Sequence, residues 1–400
     1  MNNKSEEKSI VDLEPQEIGD TTSTTFQKGQ QTMLRGKEKT YKQNLVLVFT
    51  VNFLLRFVLA ITTMLALGSM HLITMDSDAL DGIARYGYAS VPLSQARELP
   101  LIPLLMRGLY LIGVPPTFSQ LWISIVAASL MMSVFYAILE QEGNQHAMLI
   151  TLVFSFQPYF PNLILNGDAI WLASFLFLVS YYAFRQGRRG ITAILVVLLS
   201  MTHILGVIYA TAMLTNIFRK KWNYLVFLLA PATLLCEFLY FYAITGDFLL
   251  YVHAQQAYWF SGDVISNLYP FGSVIQILRN LQDNINAQTV LAIALVFLSP
   301  FIFYQYRHDD KLYTIIAVFI VATTLVHALL ARYLTPIIPL YIITLFSYLE
   351  RSKRWDYKYL KILIPVLIII GFVMAFLGMT STAYTNWAEW GTDLDPNILP

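Results

Sequence analysis

Charged side chains are scarce in this chain: Asp, Glu, Lys and Arg make up 13% of its 400 residues, against about 25% in ordinary soluble domains. The 26 basic and 25 acidic residues nearly cancel and leave a formal charge of +1 at pH 7. So small a net charge exerts little long-range attraction on a polyanion. The composition therefore argues against a nucleic-acid-binding protein, and we expect no nucleic-acid partner.

Cysteine is nearly absent as well. The single residue, Cys236, cannot form an intrachain disulfide or build a cysteine-based metal site. The six histidines lack the spacing of metal ligands. Asp76-Ser77-Asp78 has the D-x-D form with which nucleotide-sugar enzymes hold divalent cations, but two acidic residues two positions apart often occur by chance. We therefore predict no metal site and no cofactor.

Apolar sequence is abundant: 56% of residues are hydrophobic and 14% aromatic, which is typical of a lipid-embedded protein with interfacial Tyr and Trp. A helix that crosses a bilayer needs about 20 mostly apolar residues. Segments of this kind lie at 44–70, 119–140, 147–165, 169–185, 190–218, 223–245, 288–306, 312–330, 334–349 and 359–380. The sequence thus predicts an all-α polytopic membrane protein.

Two apolar segments have awkward lengths. Residues 100–113 are too few to cross and include two prolines and Arg107, whereas 190–218 is too long for one crossing and is broken near Thr202-His203. We predict that the first dips into the membrane and the second forms a hairpin, which gives about 10–11 crossings. Then 20 of the 26 Lys and Arg residues fall on one side, the cytoplasmic side by the positive-inside rule.

The same arrangement divides the chain into three parts. Residues 1–43 are polar and are predicted to be a disordered cytoplasmic tail, 44–380 form the transmembrane domain, and 381–400 form a non-cytoplasmic tail. No internal repeat is visible, which argues against the inverted halves of many transporters. The outer face receives a set of polar residues: Asp76, Asp78, Asp168, the loop 246–287 and Arg332.

The first outer loop, residues 75–88, has the pattern of a short amphipathic helix. Its apolar positions would share one face, as in a helix that lies in the membrane interface: Leu80, Ile83 and Ala84. Asp81 and Arg85 are four residues apart and can form an ion pair on such a helix. Asp76 has two interpretations: it caps the helix, or it accepts the proton of an acceptor hydroxyl as a general base.

The motifs of this loop resemble those of a known family. Asp76-Ser77, Ile83-Ala84-Arg85 and Gly87-Tyr88 are similar to the W-D-(S/A)…I-A-x-x-G-Y loop of the PIG-V-like mannosyltransferases, membrane enzymes of the GT-C glycosyltransferase class. Further stretches fit the same pattern: 99–105, Gln157-Pro158, 199–207, Gly246-Asp247 with His253-Ala254-Gln255 and Trp259, and Arg332-Tyr333-Leu334. The resemblance covers roughly 45–350, with Met75 in place of the family's Trp and His203 in place of its Arg.

The resemblance implies a GT-C-type bundle that transfers a sugar, with mannose expected, from a polyprenyl (dolichyl) phosphate. The acceptor would be a glycolipid or a glycan on the non-cytoplasmic face of a multi-pass membrane protein. That membrane would be the cell membrane in a prokaryote and the endoplasmic reticulum membrane in a eukaryote. The candidate catalytic residues are Asp76, Asp78 and Asp168.

Cations and hydrogen-bond donors are needed where the donor phosphate leaves. Arg332 lies away from the cytoplasmic basic clusters, and it either binds that phosphate or is an interfacial arginine that reaches toward water. The other candidate substrate-binding residues are His203, His253, Gln255, Trp259, Arg85 and His327. Each histidine has the alternative of a packed, hydrogen-bonded residue, and the loop 246–287 that of an interfacial aromatic belt.

Two charges interrupt apolar runs, Arg56 and Glu237. Ionisable residues inside membrane helices are often functional, and the alternative is a buried ion pair between these two. Two further functions stay open: a transporter or channel, and a non-catalytic partner subunit of such a transferase.

Overall fold

The structure, a computed structural model, describes residues 21–67, 75–155, 169–219, 221–259, 287–305 and 335–351, with a few positions between 271 and 319. Every regular element in these residues is a helix, and no strand occurs among them. The predicted all-α class is therefore confirmed.

Twelve α-helices of more than eight residues lie in the described part. They are α1 Thr21–Leu67, α2 Met75–Tyr86, α3 Leu101–Leu111, α4 Pro116–Gln141, α5 Ala147–Ser155, α6 Ile170–Arg185, α7 Arg189–Ser200, α8 Leu205–Leu214, α9 Leu229–Thr245, α10 Leu250–Trp259, α11 Ala287–Gln305 and α12 Ile338–Arg351. Short 3-10 helices lie at Tyr88–Ser90, Leu93–Gln95, Thr215–Arg219 and Trp222–Leu228.

Three of the described helical stretches are long and apolar enough to cross a membrane: Lys39–Thr62, Phe118–Gln141 and Trp222–Thr245. They match the predicted spans 44–70, 119–140 and 223–245. The remaining predicted spans correspond to shorter apolar helices or lie wholly or partly outside the described residues, as 147–165, 312–330 and 359–380 do. The structure thus supports membrane helices, and the number of crossings stays a prediction.

Helix α1 begins at Thr21, within the segment 1–43 that the sequence predicts to be disordered; residues 1–20 lie outside the described part. The physical reason lies in helix cooperativity. Extending an existing helix adds one hydrogen bond per residue ordered, whereas starting a new helix is costly. The apolar stretch that follows supplies the helix, and the Gln, Lys, Arg and Met residues before it have good helix propensity.

The two awkward segments behave as predicted in their local structure. Helix α3 has eleven residues and is therefore about 16 Å long, roughly half of a hydrocarbon core. The long segment 190–218 is interrupted: α7 ends at Ser200 and α8 begins at Leu205. The break therefore falls at Thr202-His203, and α7 and α8 pack against each other.

Gly206 is what allows α8 to start so close to the end of α7. A Cβ atom at this position would lie 2.2 Å from the backbone nitrogen of Ser200. Two segments of backbone therefore meet where only a hydrogen atom fits.

We expect Gly206→Ala to destabilise the protein by about 3 kcal/mol, because the added methyl meets backbone that cannot move aside. Gly190→Ala is the matched control, since nothing lies within 4 Å of the Cβ that it adds to α7. Thermal unfolding of the purified full-length variants should show a lower Tm for Gly206→Ala alone. Equal Tm values for the two variants would contradict the close approach.

The core of the bundle is formed around α6, which packs along both α4 and α7. Its largest fully buried side chains include Trp171, Tyr136 and Phe177. An ion pair between Glu142 and Arg185 joins the C-terminal ends of α4 and α6. These two helices therefore end on the same side, as the predicted arrangement requires.

Candidate functional site

Helix α2 lies in the loop 75–88, which the sequence predicts to be the first outer loop, and its predicted apolar face is buried. Leu80 and Ala84 pack with Ile102 and Met106 of α3 and with Ala169. Ile83, on the adjoining part of the face, belongs to a second cluster. The face therefore packs on protein, which differs from a helix that rests on lipid by its apolar side. The sequence did not reveal that this face packs on protein. Its partner α3 is a short apolar helix, and nothing in its pattern shows that it lies against α2.

The predicted pair on α2 is confirmed. Nε of Arg85 lies 2.9 Å from Oδ2 of Asp81, and the guanidinium carbon lies 5.9 Å from the ring centre of Tyr110. Partial desolvation lowers the pKa of Arg85, but the hydrogen bond and the charge of Asp81 outweigh it, so the pKa is raised overall. Arg85 thus forms an ion pair with Asp81 in this structure, which is the alternative to its predicted role in substrate binding.

Asp76 and Asp78 lie in the first turn of α2, whose first residue is Met75. Asp76 is therefore inside the helix rather than at its cap position. The catalytic roles of both residues stay predictions.

The Gly87-Tyr88 motif ends α2 and contacts the rest of the bundle through the side chain of Tyr88. Gly87 ends α2 with φ of 80°, a left-handed conformation that glycine adopts without strain. The Tyr88 hydroxyl donates to the carbonyl of Glu98 at 2.8 Å, and its ring meets the edge of Phe241 at 4.9 Å between centroids. Burial raises the pKa of Tyr88 well above its usual value, and the charges of Glu98 and Glu237 add to this effect.

Helix α10 packs on the same loop. Ala254 and Leu250 share the cluster of Ile83 and Tyr88. Nε2 of Gln255 donates to the carbonyl oxygen of Arg97 at 2.9 Å. Gln255, a predicted sugar-binding residue, therefore holds the loop backbone in this structure.

His253 and Trp259 are the other predicted ligands on α10. Nδ1 of His253 lies 2.7 Å from Oδ2 of Asp247, whose other oxygen accepts the amide N–H of Leu249 at 2.9 Å in the turn before α10. The His253 side chain is exposed at this end of α10. Trp259 is the last residue of α10, and its side chain lies outside the described residues.

The turn between α7 and α8 also reaches this loop. The amide N–H of Leu101, at the start of α3, donates to the carbonyl of Met201 at 2.9 Å. His203 is half-buried, and its Nδ1 accepts the N–H of Leu205, the first residue of α8, at 3.3 Å. In the neutral imidazole this leaves the proton on Nε2, so that His203 can act as a donor.

Three predicted site residues, Asp168, His327 and Arg332, lie outside the described residues. Ala169, the chain neighbour of Asp168, packs in the cluster of Leu80 and Ala84. Among the residues that the structure describes, no group of three or more His, Cys, Asp or Glu is arranged to hold a metal ion.

Arg97 is a buried residue of this loop that sequence reasoning missed. Its side chain is 3% exposed, its Nη1 donates to the carbonyl of Ser94 at 2.7 Å, and its own carbonyl accepts from Gln255. It follows the motif residues of the loop without belonging to any periodic pattern, so no sequence signal marked it.

The predicted ion pair between Arg56 and Glu237 does not form, so that interpretation is wrong. Nη1 of Arg56 donates to the carbonyl and to Oδ1 of Asn52, one turn earlier on α1. Glu237 is 5% exposed, and neither of its carboxylate oxygens has a hydrogen-bond partner among the described residues. The hydrogen bonds of Arg56 thus run along its own helix, through Nη1 alone, and none reaches across to α9.

The chain matches no protein-family model, and no curated protein matches it. The resemblance to the PIG-V-like mannosyltransferases stays a prediction from the motifs.

Proposed function

We propose that this protein is a membrane glycosyltransferase of GT-C architecture, with about 10–11 crossings. It moves a sugar, with mannose expected, from a polyprenyl phosphate to a glycolipid or glycan acceptor on the non-cytoplasmic side. The reaction takes place at the end of the bundle where α2, α3 and α10 meet the turn between α7 and α8.

One observation carries the proposal: among the described stretches that hold the family-like motifs, the loop 75–105 contacts two others that lie far away in the chain, α10 and the turn that contains His203. The loop 75–105 packs on α10 through Ile83, Tyr88 and Ala254. It is hydrogen-bonded to Gln255 of α10, and the start of α3 is hydrogen-bonded to the turn that contains His203. Residues that share a substrate must lie together, and unrelated motif matches would have no reason to do so.

The proposed chemistry assigns one role to each kind of group. The acceptor hydroxyl oxygen bonds to the anomeric carbon of the sugar, and the bond from that carbon to the phosphate oxygen breaks. The phosphate leaves with the bonding electrons, and Asp76 takes the hydroxyl proton as general base. Arg332 stabilises the charge that grows on the phosphate, and His203 supplies a hydrogen-bond donor.

A transporter is the second candidate, and one observation favours it. Arg56 and Glu237 are buried charges inside two of the long apolar helices, where ionisable residues often mark a pathway for ions or substrates. Catalysis on a lipid carrier and passage across the membrane give different products, so one assay separates them.

The test uses the purified full-length protein, radiolabelled polyprenyl-phosphate sugars and a membrane lipid extract. We expect the label to move from the carrier to a new lipid or glycan, with mannose as the best sugar, and the Asp76→Asn variant to form far less product. Absence of any labelled product, together with accumulation of solute inside proteoliposomes, would contradict the transferase and support the transporter.

A further inference from the structure

The first membrane helix contains an arginine whose charge is only partly satisfied. Arg56 is 2% exposed, and one of its three guanidinium nitrogens donates to Asn52. Its Nε and Nη2 atoms are buried and have no hydrogen-bond partner among the described residues. A buried N–H group without a partner loses its hydrogen bond to water with nothing in return, and the loss is larger when the group is charged.

Glu237 can avoid the cost of burying a charge, but Arg56 cannot. A buried carboxyl group becomes neutral by taking up a proton, which removes most of its penalty. The guanidinium stays protonated in proteins, so a buried arginine needs an anion. Of the two buried ionisable residues, Arg56 is therefore the one that an anionic ligand would stabilise.

The depth of Arg56 along its helix can be estimated from the basic residues near it. Such residues lie at the N-terminal ends of both Lys39–Thr62 and Trp222–Thr245, so we expect both helices to run outward from the cytoplasmic side. Arg56 is six residues before the end of its span, about 9 Å, and Glu237 is eight residues before the end of its own, about 12 Å. Both lie in the outer half, and Glu237 contributes to the electrostatic surroundings of Tyr88 in the loop.

The surface beside Arg56 suits a lipid. Phe53 and Phe57, one turn apart on α1, both pack against Trp122 of α4, with ring centroids 5.7 and 5.6 Å away. Trp122 is exposed on the bundle surface, as are Leu54 and Val58 of α1. The buried face that carries Asn52 and Arg56 thus borders an aromatic strip, and beyond it a face open to lipid.

We propose that Arg56 binds the phosphate group of a lipid phosphate, with the isoprenoid chain along Phe53, Phe57 and Trp122. Naming this ligand as the sugar carrier rests on the proposed function. The planar guanidinium can give both unpartnered N–H groups to two phosphate oxygens. Arg56 thus contributes to binding of the carrier's single phosphate, the same group whose growing charge Arg332 is proposed to stabilise when the sugar leaves.

The experiment measures binding to the full-length protein in nanodiscs. The probes are farnesyl phosphate, farnesol and inorganic phosphate, and the readouts are the Kd and the ligand-induced rise in Tm. We expect farnesyl phosphate to bind and to raise Tm, and the other two probes to do neither. Arg56→Met should raise the Kd for farnesyl phosphate about 10- to 100-fold. Arg56→Lys keeps the charge but lacks the paired N–H donors of the guanidinium, and it should raise the Kd about tenfold.

The matched control is Arg107→Met, which removes an exposed arginine from α3 and should leave the Kd unchanged. Removing an unsatisfied buried charge often leaves stability intact or improves it, so Arg56→Met is expected to fold; Arg56→Lys gives the answer if it does not. A Kd at the wild-type value in the variant that folds would overturn the inference. If inorganic phosphate bound with the same affinity as farnesyl phosphate, the inference that the ligand is a lipid would be overturned.

This test can fail independently of the proposed function. Loss of farnesyl phosphate binding in Arg56→Met, with no sugar transfer by the wild-type protein, would keep the lipid-phosphate site and reject the transferase. Sugar transfer by the wild-type protein, with unchanged carrier binding in Arg56→Met, would keep the transferase and reject the site.

Discussion

Asp76→Asn is expected to lower the turnover number for sugar transfer about 100-fold or more. Asparagine keeps the shape of the side chain but cannot accept the proton of the acceptor hydroxyl. Asp76 lies in the first turn of α2, and the buried residues that hold this helix, Leu80 and Ala84, come one and two turns later. The substitution should therefore remove basicity without moving the helix, which a matched Tm would verify.

Asp81→Asn is the control on the same helix. Asp81 forms an i,i+4 pair with Arg85, and partly exposed pairs of this kind contribute less than about 1 kcal/mol. We expect turnover near the wild-type value in this variant. Near-normal turnover in Asp76→Asn would contradict the proposed base and move the role to Asp78 or Asp168.

Arg332 should show the second large effect. The guanidinium can hold two phosphate oxygens at once, which the point charge of lysine cannot reproduce. The interaction strengthens as charge grows on the leaving phosphate, so Arg332→Lys should lower kcat and not merely raise KM. Arg332→Ala should lose about 3–4 kcal/mol of transition-state stabilisation, or about 100- to 1,000-fold in kcat.

The measurement is kcat of purified variants with matched thermal stability. Arg107→Ala, an exposed arginine of α3, is the control and should keep its kcat. An interfacial anchor at Arg332 predicts slightly poorer folding and normal turnover once inserted. Unchanged kcat in Arg332→Ala would therefore reject the phosphate role and leave His203 as the main alternative, because Arg85 is already paired with Asp81.

The helices that are long and apolar enough to cross a membrane were predictable because the bilayer sets the length that such helices need. The spans 119–140 and 223–245 agree with Phe118–Gln141 and Trp222–Thr245 within a few residues. The break near His203 was visible for the same reason, since 29 residues are too many for one crossing. The start of α1 at Thr21 was missed because helix extension depends on the neighbouring apolar stretch rather than on local polarity.

The local features of the candidate site followed from helical spacing. The face of Leu80, Ile83 and Ala84 and the pair of Asp81 with Arg85 depend on residues three and four apart. Contacts between distant segments did not follow from it. Gln255 was expected at a sugar, yet it donates to the backbone of Arg97.

The sequence by itself determined the apolar, all-helical character of this protein, because composition and periodicity report directly on the solvent and on the repeat of an α-helix. It also determined where the polar loop residues and the two intramembrane charges lie along the chain. Only the tertiary structure decided their partners: α2 packs on α3 rather than on lipid, α10 holds the loop, and Arg56 and Glu237 do not pair. Such contacts join residues far apart in the chain, and their geometry depends on how whole helices pack, which no local pattern contains.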